Sequence, residues 1–138
     1  MIRIMKRVIP VLLAVLLCLT GCTTGEKTAY RQISQEAAKS MMVRDDGHII
    51  VDVRRQDEYD SGHIPGAILI PNESIETEQP DKLPDKDQII LVYCRSGRRS
   101  KEAAQKLADM GYTNVYEFGG IIDWKGEITT DAPDTGGY

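Results

Sequence analysis

The sequence predicts a single α/β domain built on a mainly parallel sheet. Short β-branched or apolar runs alternate with segments of helical periodicity, which is the pattern of this class. One run, Ile89–Tyr93, is apolar at every position, as is typical of a strand buried on both faces of a parallel sheet. The length of 138 residues suits one domain with an ordinary core and is too short for two.

Composition excludes several classes of protein. Apolar residues make up 41% and charged residues 28% of the chain, which excludes collagen, low-complexity chains and polytopic membrane proteins. With 17 basic and 21 acidic residues the formal charge is −4, so we expect no nucleic-acid partner.

Residues 1–21 have the features of an export signal. Three basic residues precede a mostly apolar run, Val8–Leu19, which is shorter than the roughly 20 residues that span a bilayer but suits a signal-peptide core. The run ends in Leu19-Thr20-Gly21-Cys22, which resembles the lipobox of bacterial lipoproteins. This resemblance implies lipid on Cys22, a tether over residues 22–29, and an exported protein anchored to the bacterial cell membrane, on the outer cell surface or in a periplasm. A plain secretory signal is the alternative.

The first elements of the mature chain follow in order. Ser34 is a plausible N-cap for a helix whose apolar face comprises Ala37, Ala38, Met41 and Met42. Strands are predicted at His48–Val53 and Ala67–Ile70, with a short helical turn between them at Gln56–Asp60 and with glycine and proline breakers around them. Residues 72–88 are polar and predict a short helix at most, followed by a surface loop.

The second half of the chain repeats the alternation. After the buried strand, Ser100 is expected to open a helix that Gly111 ends, with an inward face of Ala103, Ala104, Leu107, Ala108 and Met110. The remaining predicted elements are a strand at Asn114–Phe118, a short helical piece around Trp124 after Gly119-Gly120, and a polar tail over residues 128–138, disordered from Thr129.

The cysteine count points to one thiol. Of the three cysteines, Cys18 would leave with the signal and Cys22 would carry lipid, so Cys94 remains without a disulfide partner. A lone thiol in an exported domain is either an inert side chain buried in the core or a reactive group. Cys94 directly follows the most apolar strand, at the strand end where α/β sheets bind their ligands.

The segment Cys94–Ser100 carries features that favour a reactive thiol. A nucleophilic cysteine must be a thiolate, whereas an ordinary thiol has a pKa of about 8.5. A helix N-terminus and nearby guanidinium groups can lower the pKa of a thiol to roughly 3.5–7.5, and a glycine lets successive backbone N–H groups turn inward around an anion. The alternative is an inert buried cysteine before a solvated basic turn. One of the three arginines could be solvated, Arg98 or Arg99 in preference to Arg95.

Several motifs in order resemble single-domain rhodaneses over residues 30–127. They are Val51-Asp52-Val53-Arg54, Glu58-Tyr59, Gly62-His63-Ile64-Pro65-Gly66-Ala67, Tyr93-Cys94-Arg95-Ser96-Gly97-Arg98-Arg99-Ser100, Gly119-Gly120 and Trp124. The resemblance implies a five-stranded, mainly parallel sheet flanked by helices on both faces. It also implies a cysteine persulfide and the transfer of sulfane sulfur.

The same resemblance assigns roles to individual residues. Cys94 falls at the sulfur-carrying position, and Asp52 and Arg54 fall at positions that support the active-site loop. The cradle for the bound sulfur is formed by Arg95, Ser96, Gly97, Arg98, Arg99 and Ser100. Residues expected to hold turns or to pack, not to react, are His63, Glu58, Tyr93 and Trp124.

The expected function is a sulfurtransferase without cofactor. A small anionic donor such as thiosulfate would give its outer sulfur to Cys94, and a thiol or cyanide would accept it. We expect no metal site, because His48, His63 and one cysteine offer too few ligands at these spacings, and we expect a monomer.

Three other functions are weighed against this one. A persulfide carrier that serves a partner protein stays open. A cysteine phosphatase would need five residues between its cysteine and arginine, whereas four separate Cys94 from Arg99. A thiol oxidoreductase lacks a Cys-x-x-Cys pair and a resolving cysteine in the mature chain.

Overall fold

The computed structural model describes residues 29–133. The predicted signal peptide, Cys22 and the tether up to residue 28 lie outside the described residues. Five strands form one sheet: β1 (Arg31–Gln32), β2 (Ile49–Asp52), β3 (Ile68–Leu69), β4 (Ile90–Cys94) and β5 (Val115–Gly120). The helices are α1 (Gln35–Met42), α2 (Gln56–Asp60) and α3 (Arg98–Asp109), with 3-10 turns at Asn72–Ser74 and Ile121–Asp123.

The sheet is parallel throughout and has the strand order β1-β5-β4-β2-β3. The predicted α/β class and the five-stranded sheet are confirmed. Strand β4 lies between β5 and β2, and all five of its residues are buried. The continuous apolar run therefore occupies the centre of the sheet, where both faces of a strand are covered.

Two apolar clusters cover the two faces of the sheet. Along β4, Ile90 and Val92 point into the cluster that contains Ala103, Ala104 and Leu107 of α3. Leu91 and Tyr93 point into the opposite cluster, which contains Ala38 of α1 and Phe118. Because side chains alternate along a strand, helices pack on both faces, and Cys94 lies on the α3 side.

The two main helices begin differently from each other. Ser34 caps α1, since its hydroxyl oxygen accepts the Ala37 amide at 3.1 Å. The predicted start of α3 at Ser100 is wrong: the helix begins at Arg98, with Gly97 as N-cap at a φ of 107°. A side chain is strained at that φ, so glycine lets the helix start two residues earlier and turns Ser100 inward, where it is fully buried.

The last strand is longer than predicted, because β5 continues through Gly119 and Gly120. Gly120 pairs with Cys94 and lies against the loop that follows β4, at Arg95 and Ser96. A Cβ at this position would overlap the carbonyl group of Arg95 and lie 2.7 Å from Cα of Ser96. Only glycine therefore lets the loop after β4 pack this closely on β5.

The segment after residue 128 is ordered at its start, so the predicted disorder from Thr129 is wrong for these residues. Thr129 forms an antiparallel bridge with His63, and the His63 ring lies within hydrogen-bond distance of the carbonyl oxygens of Tyr59 and Asp131, at 2.9 and 2.8 Å. His63 also stacks on Tyr59, with 3.8 Å between ring centroids. Within residues 29–133 we find no helix long and apolar enough to cross a membrane.

Candidate active site

Cys94 ends β4 at an irregularity in the sheet. Val92 pairs with Glu117 and Cys94 pairs with Gly120, so β5 carries one more residue than β4 between these two pairs. Such bulges bend a strand and redirect side chains, and they are frequent beside active sites. Cys94 is the last residue of β4 and directly precedes the loop that leads into α3.

The sulfur of Cys94 lies at the start of α3. Its Sγ accepts the Gly97 amide at 3.0 Å and lies 3.4 Å from the Ser100 hydroxyl oxygen. The side chain is buried, with 1% exposure. The first N–H groups of a helix have no partner within the helix and carry the positive end of its dipole. This end of α3 therefore stabilises negative charge on the sulfur.

A buried acid, Glu117, contacts Ser100 in the first turn of α3 and the Gly119 amide of β5. Its Oε1 is 2.6 Å from the Ser100 hydroxyl and accepts the Gly119 amide at 2.8 Å, and the residue is 2% exposed. Glu117 is not among the site residues predicted from the sequence. The signal was present, because Glu117 follows Val115 by two positions in a predicted strand and so shares its buried face.

The three loop arginines have different surroundings. Arg95 and Arg99 line a cleft of about 330 Å³ beside the loop. Arg98 instead lies on the exposed side of α3, with 74% of its side chain accessible, and pairs with Glu102 at 2.9 Å. Of the two arginines that the sequence left open, Arg99 faces the cleft and Arg98 faces solvent.

Arg99 is held by a carboxylate from another part of the chain. Its two terminal nitrogens donate to the two oxygens of Glu58 at 2.7 and 2.9 Å. This bidentate pair lowers the pKa of Glu58 to about 2 and raises the pKa of Arg99. Glu58 also accepts the Arg55 amide at 3.5 Å, so it fixes the turn, as predicted, and lines the cleft as well.

Asp52 and Arg54 form a buried ion pair behind the site. Arg54 donates through Nε and Nη2 to the Asp52 carboxylate, with a shortest distance of 2.7 Å, and also to the Gly62 carbonyl. The Tyr93 hydroxyl donates to Asp52 at 2.7 Å and accepts the Ile64 amide at 3.1 Å. Burial, followed by the nearby Asp52 charge, raises the pKa of Tyr93. Tyr93 thus packs, as predicted, and also completes this network.

The cleft has a cationic wall and an apolar edge. Its remaining lining residues are Arg54, Arg55, Ser61, Ile121 and Ile122. Arg55, Ser61 and the two isoleucines are not among the residues predicted from the sequence; Ile122 is 63% exposed. Cys94 does not line the cleft, and its side chain is buried beside it under the loop residues, with 1% exposure. Neither His63 nor Trp124 lines the cleft, and the residues described contain no cluster of His, Cys, Asp or Glu that could hold a metal ion.

Comparison with known proteins gives consistent matches. Residues 34–127 match the family described as the rhodanese-like domain. Thiosulfate sulfurtransferase PspE of Escherichia coli is 40% identical over 73 residues, which are 53% of this chain and 70% of PspE. The putative sulfur carrier protein YrkF of Bacillus subtilis is 37% identical over 97 residues, 70% of this chain and about half (51%) of YrkF. A solved rhodanese with anions from E. coli superposes with a TM-score of 0.56 at 34% identity, covering 61% of this chain and 99% of that one.

Proposed function

This chain belongs to the rhodanese-like family, and we propose that it is a sulfurtransferase that carries sulfur as a persulfide on Cys94. The donor is thiosulfate or a related small anion, and the acceptor is a thiol, or cyanide in an assay. The observation that carries the proposal is the contact of the Cys94 sulfur with the Gly97 amide at 3.0 Å, at the N-terminus of α3.

The first half-reaction loads the sulfur. The Cys94 thiolate attacks the outer sulfur of thiosulfate, the bond between the two donor sulfurs breaks, and sulfite leaves with the bonding electron pair. Arg95 and Arg99 line the cleft beside the loop, where they attract the dianionic donor and stabilise the charge on sulfite. Preorganised donors of this kind are commonly the largest catalytic contribution.

The second half-reaction unloads the sulfur. An acceptor thiolate attacks the outer sulfur of the Cys94 persulfide, a new sulfur–sulfur bond forms on the acceptor, and the Cys94 thiolate is regenerated. Because the donor product leaves before the acceptor reacts, the kinetics should be ping-pong.

The direct test is intact mass spectrometry after treatment with thiosulfate. The wild-type protein should gain the mass of one sulfur atom on the peptide that contains Cys94, and cyanide should remove it. Cys94→Ser should gain nothing and form no thiocyanate. Thiocyanate formation by this variant at the wild-type rate would overturn the proposal.

The role of the cleft is tested with a matched pair of variants. Arg95→Ala should raise KM for thiosulfate by about tenfold or more, since a hydrogen bond to a charged group contributes about 1.5–3 kcal/mol. Lys101→Ala removes a positive charge from the exposed side of α3, the helix that follows the loop, and should leave KM nearly unchanged. Equal effects of the two variants would remove Arg95 from donor binding and leave only a general charge effect.

A persulfide carrier is the second candidate, supported by the similarity to the putative sulfur carrier YrkF. A carrier would load Cys94 once and release the sulfur slowly without its partner. Steady-state thiocyanate production from thiosulfate and cyanide separates the two functions, because only a sulfurtransferase turns over many times under these conditions.

We also propose that the protein is exported and anchored through lipid on Cys22, on the strength of the lipobox-like segment Leu19-Thr20-Gly21-Cys22. Several acyl chains at about 0.8 kcal/mol per buried methylene would hold it stably on a membrane. Full-length protein should sediment with membranes and incorporate labelled palmitate, and Cys22→Ala should do neither. Unlabelled, freely soluble wild-type protein would contradict the anchor.

A further inference from the structure

The sulfur, a hydroxyl and a carboxylate form a continuous buried chain. Cys94 Sγ lies 3.4 Å from Ser100 Oγ, and Ser100 Oγ lies 2.6 Å from Glu117 Oε1. All three residues are at most 2% exposed. This arrangement concerns the nucleophile of the proposed sulfurtransferase, and its meaning for catalysis rests on that function.

The distances fix the direction of the hydrogen bonds in this chain. A serine hydroxyl has one proton to donate, and Ser100 Oγ lies 2.6 Å from Glu117 Oε1 and 2.9 Å from the Gly97 carbonyl oxygen. The shorter contact is in the range of a hydroxyl that donates to a carboxylate. Ser100 therefore donates to Glu117, and a lone pair of its oxygen faces Cys94. The thiol proton of Cys94 can then be donated to Ser100 across 3.4 Å.

We propose that Ser100 and Glu117 form a proton relay that converts the Cys94 thiol into the thiolate. The S–H bond of Cys94 breaks as its proton moves to Ser100 Oγ. The former hydroxyl proton of Ser100 moves to Glu117 Oε1 in the same event. The products are a Cys94 thiolate, a serine hydroxyl that now donates to the sulfur, and a neutral Glu117 carboxylic acid.

The surroundings make Glu117 the suitable acceptor. The partners of its carboxylate, the Ser100 hydroxyl and the Gly119 amide, are neutral, so a proton moved to Glu117 leaves no cation unpaired among the residues described. Glu58, by contrast, is bound to Arg99. After the transfer the negative charge lies on the sulfur, near Arg99, whose pKa is raised by Glu58 and further by Cys94.

The relay serves both half-reactions. In the first, Glu117 holds the proton while the thiolate attacks the donor. When the acceptor has removed the outer sulfur, the regenerated thiolate can take the proton back through Ser100. Ser100 is the catalytic contact with the reacting sulfur, and Glu117 acts through it.

A purely structural role for Glu117 predicts the opposite effect on reactivity. If Glu117 were only a fixed buried anion, it would repel the thiolate, and Glu117→Gln would make Cys94 more reactive at neutral pH. If it accepts the proton, the same variant removes the base and makes Cys94 less reactive. The sign of the change therefore distinguishes the two roles.

The experiment is the rate of Cys94 alkylation by iodoacetamide as a function of pH. Iodoacetamide is uncharged, so Arg95, Arg99 and Glu58 in the cleft affect its binding little. At neutral pH, Glu117→Gln should react at least about tenfold more slowly than wild type, with Glu117→Asp in between. At alkaline pH, where the thiol ionises without help, the rates should converge; a difference that persists there reports altered access to the sulfur and counts against the relay.

Two further measurements keep the test decisive. Ser100→Ala should slow alkylation at neutral pH. The double variant Ser100→Ala with Glu117→Gln should react no more slowly than the slower single variant, because each substitution already interrupts the same relay.

Infrared difference spectra of wild-type protein should show a carboxylic acid band that appears as the S–H band is lost, and Cys94→Ser should lack it. This measurement applies even if Glu117→Gln does not fold.

The outcomes separate this inference from the proposed function. Unchanged or faster alkylation of folded Glu117→Gln at neutral pH, or S–H loss without carboxyl protonation, overturns the relay even if thiosulfate still loads Cys94. Alkylation needs no sulfur donor, so a confirmed relay in a protein that never forms a persulfide would instead contradict the sulfurtransferase.

Discussion

Asp52 and Glu117 are two buried carboxylates on the same sheet, and they are compensated in different ways. Asp52 is fully buried and has a guanidinium partner, Arg54, together with the Tyr93 hydroxyl. Glu117 is 2% exposed, and the groups that contact its carboxylate are a hydroxyl and a backbone amide. Within residues 29–133, no positively charged group pairs with it.

The difference separates a structural acid from one suited to proton transfer. A buried ion pair loses several kcal/mol when one partner is removed, because the other charge is left without compensation. A buried carboxylate bound only by neutral groups can take up a proton and keep both neighbours as hydrogen-bond partners. The Asp52 pair therefore fixes the loop after β2, whereas Glu117 is the acid that receives the Cys94 proton in the proposed relay.

Asp52→Asn should have the largest effect on stability. The amide cannot neutralise Arg54, whose guanidinium is only 6% exposed, so we expect the free energy of unfolding to fall by about 3–5 kcal/mol. Urea denaturation followed by circular dichroism measures this loss. A loss below about 1 kcal/mol would mean that Arg54 finds another partner, and the contrast between the two acids would disappear.

Glu117→Gln is the matched change at the other acid and should alter the free energy of unfolding by no more than about 1 kcal/mol. The glutamine oxygen can still accept the Ser100 hydroxyl and the Gly119 amide, and no cation is left unpaired. The same urea titration gives the comparison with Asp52→Asn. A loss as large as that of Asp52→Asn would show that the Glu117 charge is structural.

Glu58→Gln should show its effect as a pH dependence of stability, present above pH 4.5 and lost in acid. Arg99 lowers the pKa of Glu58 from 4.5 to about 2, so the pair stabilises the folded state above pH 4.5 and the stabilisation is lost as the pH falls toward 2. The wild-type melting temperature should therefore fall more steeply than that of Glu58→Gln between these values. Parallel curves would indicate that the pair adds nothing to stability.

Much of the fold followed from local patterns. The bounds of α2, Gln56–Asp60, and the cap of α1 at Ser34 were predicted as the structure has them. The start of α3 was not, because serine is a common N-cap and the left-handed conformation of Gly97 could not be read from the chain. Strand β1, with two exposed residues, has no apolar pattern, and only the family resemblance implied a fifth strand.

The sequence by itself determined the features whose partners are close along the chain. These are the position of Cys94 directly after the most apolar strand and the loop glycine Gly97. For Asp52 and Arg54 only support of the loop was expected, and the structure shows that the two pair. Tertiary structure alone decided that Arg99 and not Arg98 faces the cleft, because its partner Glu58 is 41 residues away. It also brought Glu117 to Ser100, 17 residues apart in sequence, because β5 pairs with β4 and Glu117 and Cys94 both face α3.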